Sequence, residues 1–198
     1  MALAAHSPGA EHGSHGLDRL RVNRVGLWLF FFSESVIFGL LLSTRFYLEG
    51  IEAAHLDQLL GLGITVLLLT SSITAYIAET AMARGNRALC SWMLLATIAQ
   101  GLLFAGGVAY EWSAAEFTKD EAFGTAFFAM TGLHATHVIS GVGMLALAWI
   151  MLVRGHFSPS SYWGIEGTVK YWHFVDVVWV FFYPALYLVQ GVGGTTTH

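Results

Sequence analysis

Five apolar runs, parted by short polar separators, dominate the chain: Val25–Leu48, Leu59–Ala83, Ala88–Tyr110, Gly124–Val153 and Val169–Gln190. A helix needs roughly 20 apolar residues to cross a bilayer, and each run supplies them. None alternates with period two, so strands of a membrane barrel are not indicated. The pattern predicts an all-α integral membrane protein, a bundle of five transmembrane helices. The fourth run is long enough to tilt or to project from the bilayer. The separators "EGIEAAHLDQ", "RGNR", "EWSAAEFTKDE" and "RGHFSPSSYWGIEG" hold most of the charges and turn formers. The division that follows is a flexible N-terminal tail over 1–23, a membrane domain over 24–191 and a short C-terminal tail over 192–198.

The distribution of Lys and Arg sets the expected orientation. Arg19, Arg21, Arg24, Arg84, Arg87, Arg154 and Lys170 fall on one side if the spans alternate. The other side receives Arg45 and Lys119 among many carboxylates, which weigh little in the rule. This places the N-terminus in the cytoplasm and the C-terminus outside, in the periplasm of a bacterium.

Composition sharpens the picture. Hydrophobic residues make up 56% of the chain and charged residues 11%, against about 25% charged in a soluble domain. One cysteine, Cys90, excludes an internal disulfide. A net charge of -4 gives no electrostatic case for nucleic acid. The N-terminal segment has no apolar central region, so it does not read as a cleavable signal peptide. Its His6, His12 and His15 could bind a metal weakly, but a flexible tail explains them as well. Gly101, Ala105, Gly132, Gly141 and Gly143 permit close helix packing. Ser71, Ser72 and Thr74 can hydrogen-bond to their own helix or to a neighbour.

Ionisable residues inside the apolar runs are the candidate chemistry, because charge at membrane depth is costly and has a functional default reading. Glu34 stands nine residues past Val25, about 14 Å into the span. His134 stands ten residues past Gly124, also near mid-depth, and His137 lies about 4.5 Å further along. His173 and Asp176, in "KYWHFVDVVW", lie near the start of the fifth run. Matching these depths suggests two pairs, Glu34 with His134 and Asp176 with His137. Each of these groups could equally be a packing polar group satisfied by backbone or a neighbouring helix. Glu79 reads as a solvated end group. His134 and His137 share one helix and His173 lies nearer a boundary, so the histidines do not suggest a haem or copper cage.

Four segments together resemble a known family: "WLFFFSESVIFG", "SSITAYIAETAMARGNR", "EAFGTAFFAMTGLHATHVISGVGML" and "GTVKYWHFVDVVWVFFYPALY". They are similar in order and spacing to subunit III of haem–copper terminal oxidases, the cytochrome c oxidase type, over Gly26 to Gly191. Longer members have seven spans; this chain looks like a short five-span form beginning at their third. The resemblance implies a non-catalytic subunit that binds no haem or copper itself, those groups belonging to partner subunits. It implies direct contact with catalytic subunit I, assembly with subunit II, tightly bound phospholipid, and support of proton uptake and of enzyme lifetime. It places the chain in the bacterial cytoplasmic membrane. Glu34 falls on the family's intramembrane carboxylate beside a lipid-binding cleft, whose shape is in question where two helices are missing. His134, His137, His173, Asp176 and, more weakly, Glu166 fall on recurring polar positions.

Alternatives stay open from the residues alone. They are the homologous subunit of a quinol oxidase, the related accessory protein of nitric oxide reduction, a small proton-coupled transporter and a solitary b-type haem protein. The chain shows no inverted repeat of the kind common in transporters. Electron donor, partner haem types, lipid identity and membership of a larger respiratory supercomplex are not written in this sequence.

Overall fold

In a computed structural model the structure describes residues 9–48, 58–114 and 122–188. They form five long helices: α1 (Gly9–Leu48), α2 (Gln58–Ala83), α3 (Arg87–Ala114), α4 (Ala122–Val153) and α5 (Trp163–Tyr183), the last continued by a π-turn at Pro184–Leu188. His6, the separators over 49–57 and 115–121 and the tail over 192–198 lie outside the described residues, as do the side chains of His12 and His15.

Helices α1 to α4 are long and apolar enough to cross a membrane. Helix α5 carries three charged residues, Glu166, Lys170 and Asp176, among its 21. It is nevertheless the interior helix: Val169, Trp172, Val175 and Trp179 are fully buried. Glu166 and Lys170 meet each other and Arg24, and Asp176 meets Ser72 through one oxygen, partners that ease their cost at this depth. Two boundaries differ from the apolar runs. Helix α5 starts at Trp163 instead of Val169, adding a polar first turn that the apolar window could not register. Helix α1 starts at Gly9, so helix continues back through part of the segment read as a tail.

Helices α2, α3, α4 and α5 close a ring, and α1 packs chiefly against α4 and α5 from outside. Indole N–H groups join the ring across helices. Trp172 Nε1 donates to Ser71 Oγ at 2.8 Å, Trp179 Nε1 to Thr65 Oγ1 at 2.9 Å, Trp149 Nε1 to Ser91 Oγ at 2.9 Å and Trp112 Nε1 to Thr131 Oγ1 at 3.0 Å. The Trp172 and Trp179 pairings bury donor and acceptor together, so neither is stranded in an apolar interior, while those of Trp149 and Trp112 are partly buried. Trp172 is seated between α3 and α4 because both present glycine there. A Cβ on Gly101 would stand 2.5 Å from the Trp172 ring, and one on Gly141 2.9 Å from it. Gly143, by contrast, faces open space.

The basic end is closed by two matching helix stops. Gly85 (φ 79°) and Gly155 (φ 85°) occupy the left-handed region and end α2 and α4. Asn86 N donates to Ala81 O and His156 N to Met151 O, the longer bond of a Schellman motif in each case. Arg87 then ties the α2–α3 turn to the end of α4, donating to Leu152 O at 2.6 Å and Phe157 O at 3.1 Å.

Candidate functional site

The polar groups on the α1–α4 seam come first. Helix α1 buries few side chains, Phe31 and Phe38 among them. Phe31 stacks on Phe174 at 4.8 Å, and Phe38 meets the rings of His137 and Phe182 edge-on at 4.8 and 5.6 Å. These contacts turn the Glu34 side of α1 towards α4, where Glu34 Oε2 lies 3.2 Å from His137 Nε2. The other ring nitrogen, His137 Nδ1, lies 2.8 Å from the carbonyl of Leu133. A carbonyl can only accept, so Nδ1 carries a proton. A neutral ring protonated at Nδ1 has a bare Nε2, and a bare nitrogen cannot bond an ionised carboxylate. The contact therefore needs a second proton, either on Nε2 or on Glu34. Both forms are neutral in sum, imidazolium with carboxylate or imidazole with carboxylic acid. The backbone of Leu133 thus makes Glu34–His137 a pair that shares one proton. Around it, the Tyr171 hydroxyl lies 2.7 Å from Ser140 Oγ and 3.2 Å from the carbonyl of His137, holding α5 to this turn of α4.

His134, one turn away, has a different setting. It is fully buried, stacked on Trp179 at 4.8 Å and edge-on to Phe104 at 5.6 Å. Neither of its ring nitrogens has a hydrogen-bond partner among the described residues. The expected Glu34–His134 pair is therefore replaced by Glu34–His137. Depth along an axis fixes a level but not a direction. Each residue turns the helix by about 100°, so positions three apart point about 60° away from one another.

Asp176 does not meet His137 either; its partner is on α2. The Ser72 hydroxyl donates to Asp176 Oδ2, and His173 Nδ1 lies 3.0 Å from the same Ser72 oxygen. A hydroxyl has one hydrogen, so while it donates to Asp176 it accepts from His173. One serine thus connects the two residues that stand three apart on α5. Asp176 is buried, whereas His173 is half-buried and lines a groove between α1 and α5.

Glu166 belongs to a third set at the basic end. Arg24 Nη2 approaches Glu166 Oε1 at 3.2 Å, and Lys170 Nζ bonds the same oxygen. Both cations also lie near the ring of Trp163, at 5.9 and 5.7 Å from its centroid. Two grooves open on opposite sides of α1. One, of about 810 Å³, is walled by α1, α4 and α5 and includes Leu27, Phe30, Ser140 and Tyr171. The other, of about 580 Å³, includes Trp28, Phe31, His173 and Phe174. Among the described residues, no three His, Cys, Asp or Glu side chains group closely enough to hold a metal ion.

Sequence reasoning named the carboxylates and imidazoles but missed their connecting groups. Ser72 stood out only as one of several hydroxyls in a span. Arg24 and Glu166 are 142 positions apart, and nothing local to either signals the contact.

These features define a multi-pass helical membrane protein whose intramembrane carboxylates are matched by groups on neighbouring helices. The sequence model of cytochrome c oxidase subunit III matches residues 49–190. Cytochrome c oxidase subunit 3 of Neurospora crassa is 36% identical over 196 aligned residues, covering 91% of this chain and 72% of the relative. The Synechocystis sp. protein of the same name is 33% identical, covering 94% of this chain and 83% of its own length. The Gallus gallus protein is 37% identical over 124 residues, and the match spans about half of it, 48%. The chain belongs to the cytochrome c oxidase subunit III family.

Proposed function

We propose that this chain is the non-catalytic subunit III of a respiratory haem–copper oxidase of the cytochrome c type. In this reading it packs beside catalytic subunit I, with subunit II in the same complex. It binds structural phospholipid and sustains proton uptake by the catalytic subunit, while haem and copper stay with its partners. The basic end faces the cytoplasm of a bacterial cell, in agreement with the Lys and Arg distribution.

The observation that carries the reading is the Glu34–His137 contact on the seam between α1 and the bundle. The contact joins α1 to α4, and Glu34 lies on the helix that walls both grooves. Glu34→Gln tests this cleanly. The glutamine amide can donate to His137 Nε2, so the helix contact survives while the carboxyl group is lost. The variant oxidase should assemble normally and then inactivate faster during turnover, or retain less phospholipid. A wild-type turnover lifetime together with wild-type lipid content would overturn the reading.

A further inference from the structure

We propose that Asp176 is a proton store, loaded and emptied through Ser72 and His173 on the seam between α2 and α5. These residues are separate from the Glu34–His137 seam, so the proposal goes beyond the reading above and stands or falls apart from it.

The store is the Asp176 carboxyl group. Only 2% of the residue is exposed, and Oδ1 has no hydrogen-bond partner among the described residues. A carboxylate so placed buries a charge with one oxygen bare, which is costly, whereas a carboxylic acid buries no charge. The resting form is therefore the acid.

The path is a hydroxyl that can face either way. Ser72 Oγ bonds Asp176 Oδ2 on one side and lies 3.0 Å from His173 Nδ1 on the other. The neighbouring Ser71 hydroxyl instead donates back to its own helix, at Leu68 O. With Asp176 protonated, its O–H donates to Ser72, and the serine hydrogen points to a bare His173 Nδ1. With Asp176 ionised, both bonds reverse. One set of heavy-atom positions serves both states. Loading starts from His173 as imidazolium. Its Nδ1–H bond breaks as a new O–H bond forms on Ser72, and the serine's original O–H bond breaks as Asp176 Oδ2 gains that hydrogen. Imidazolium and carboxylate become imidazole and carboxylic acid, and the serine ends as it began, turned round. Emptying runs the same steps backwards.

The proton enters on the groove side. The two nitrogens of an imidazole face away from each other, so a ring with Nδ1 on Ser72 turns Nε2 away from α2. His173 is half-buried and lines the groove of about 580 Å³ between α1 and α5. Lys170 lines the same groove about 4.5 Å along the helix towards the basic end. The α1 wall there, Trp28, Phe31, Phe32 and Ser35, carries no charge. Glu79 on α2 and Glu166 on α5 lie near Lys170. On α4, His137 is held by Glu34 and Leu133 O, and His134 is enclosed by rings. With Oδ1 unpartnered among the described residues, the path ends at Asp176, which makes it a store and not a channel.

The test follows the C=O stretch of protonated carboxyl groups by infrared spectroscopy, with the purified oxidase complex moved from light to heavy water. Asp176→Asn should remove one such band, which assigns it. Ser72→Ala should keep that band and slow its deuterium shift roughly 100-fold, the low end of what a positioned proton-transfer group contributes. His173→Gln, which can bond Ser72 but cannot relay a proton, should slow it likewise. Ser72→Thr keeps the hydroxyl and should exchange at close to the wild-type rate. No band lost in Asp176→Asn, or a wild-type exchange rate in Ser72→Ala, overturns the proposal. If Asp176→Asn fails to assemble, carboxyl-labelled aspartate identifies the band instead, and a slowed band that does not move with the label overturns the proposal equally. A wild-type turnover lifetime and lipid content in Glu34→Gln would overturn the earlier reading and leave these exchange rates standing; an unslowed Ser72→Ala would do the reverse.

Discussion

His134 and His137 occupy consecutive turns of the same helix, and their surroundings could hardly differ more. His137 is tied at both nitrogens, to the Leu133 carbonyl and to Glu34. His134 is enclosed by Phe104, Trp179 and Phe182 and bonds to none of the described residues through either nitrogen. One is held by hydrogen bonds at both nitrogens, the other by ring packing. The comparison teaches that depth in the membrane does not make an ionisable residue functional. The direction in which the helix points it does.

Substitutions that trade shape against hydrogen bonding separate the two roles. The largest effect belongs to the residue without partners. His134→Ala opens a cavity among three aromatic rings and should cost about 3 kcal/mol, read as a lowered melting temperature of the purified complex. His137→Leu fills its space but leaves Glu34 without its acceptor or donor. It should cost about 2 kcal/mol, the carboxyl being able to hold its own proton. The smallest change is His134→Phe, which keeps the stack on Trp179 and removes two buried nitrogens. It should shift stability by less than about 1 kcal/mol, in the stabilising direction. A loss of several kcal/mol in His134→Phe would mean that the ring nitrogens matter and that the two histidines are alike after all.

Much of the fold was legible because apolar run length answers directly to bilayer thickness. Val25–Leu48, Leu59–Ala83, Ala88–Tyr110 and Gly124–Val153 each fall within a helix whose ends lie close by, α1 excepted at its start. The start of α5 was not legible. Trp163 to Thr168 includes Glu166 and two glycines, which look like loop until Arg24 and Lys170 are placed around that carboxylate. The candidate site was legible as a set of residues and not as a set of contacts. Glu34, His137, His173 and Asp176 each proved to contact another helix, and Glu166 to gather two cations. Their partners depended on helix rotation and tilt, which spacing along one chain does not encode. Ser72 illustrates the limit: a serine in a span ordinarily bonds back to its own helix, as Ser71 does to Leu68 O at 2.5 Å. Only the approach of α5 recruits Ser72 to bridge His173 and Asp176.

The same contrast locates the weak side of the molecule. The α2–α5 ring is joined by indole–hydroxyl bonds and a tryptophan lodged against two glycines. The outer helix α1 is held by a few rings, one proton-sharing pair and one interfacial charge cluster. Changes in lipid or protonation would act on that seam first, because it has the least buried surface to oppose them.

The central claim is that Glu34 works with His137 and not with His134. A double-mutant cycle on the thermal stability of the assembled complex measures this directly, using Glu34→Leu with His137→Leu and Glu34→Leu with His134→Phe. A coupling of about 2 kcal/mol is expected in the first cycle, since removing both partners strands neither, and one within about 0.5 kcal/mol in the second. A coupling between Glu34 and His134 that equals or exceeds the one with His137 would contradict the account.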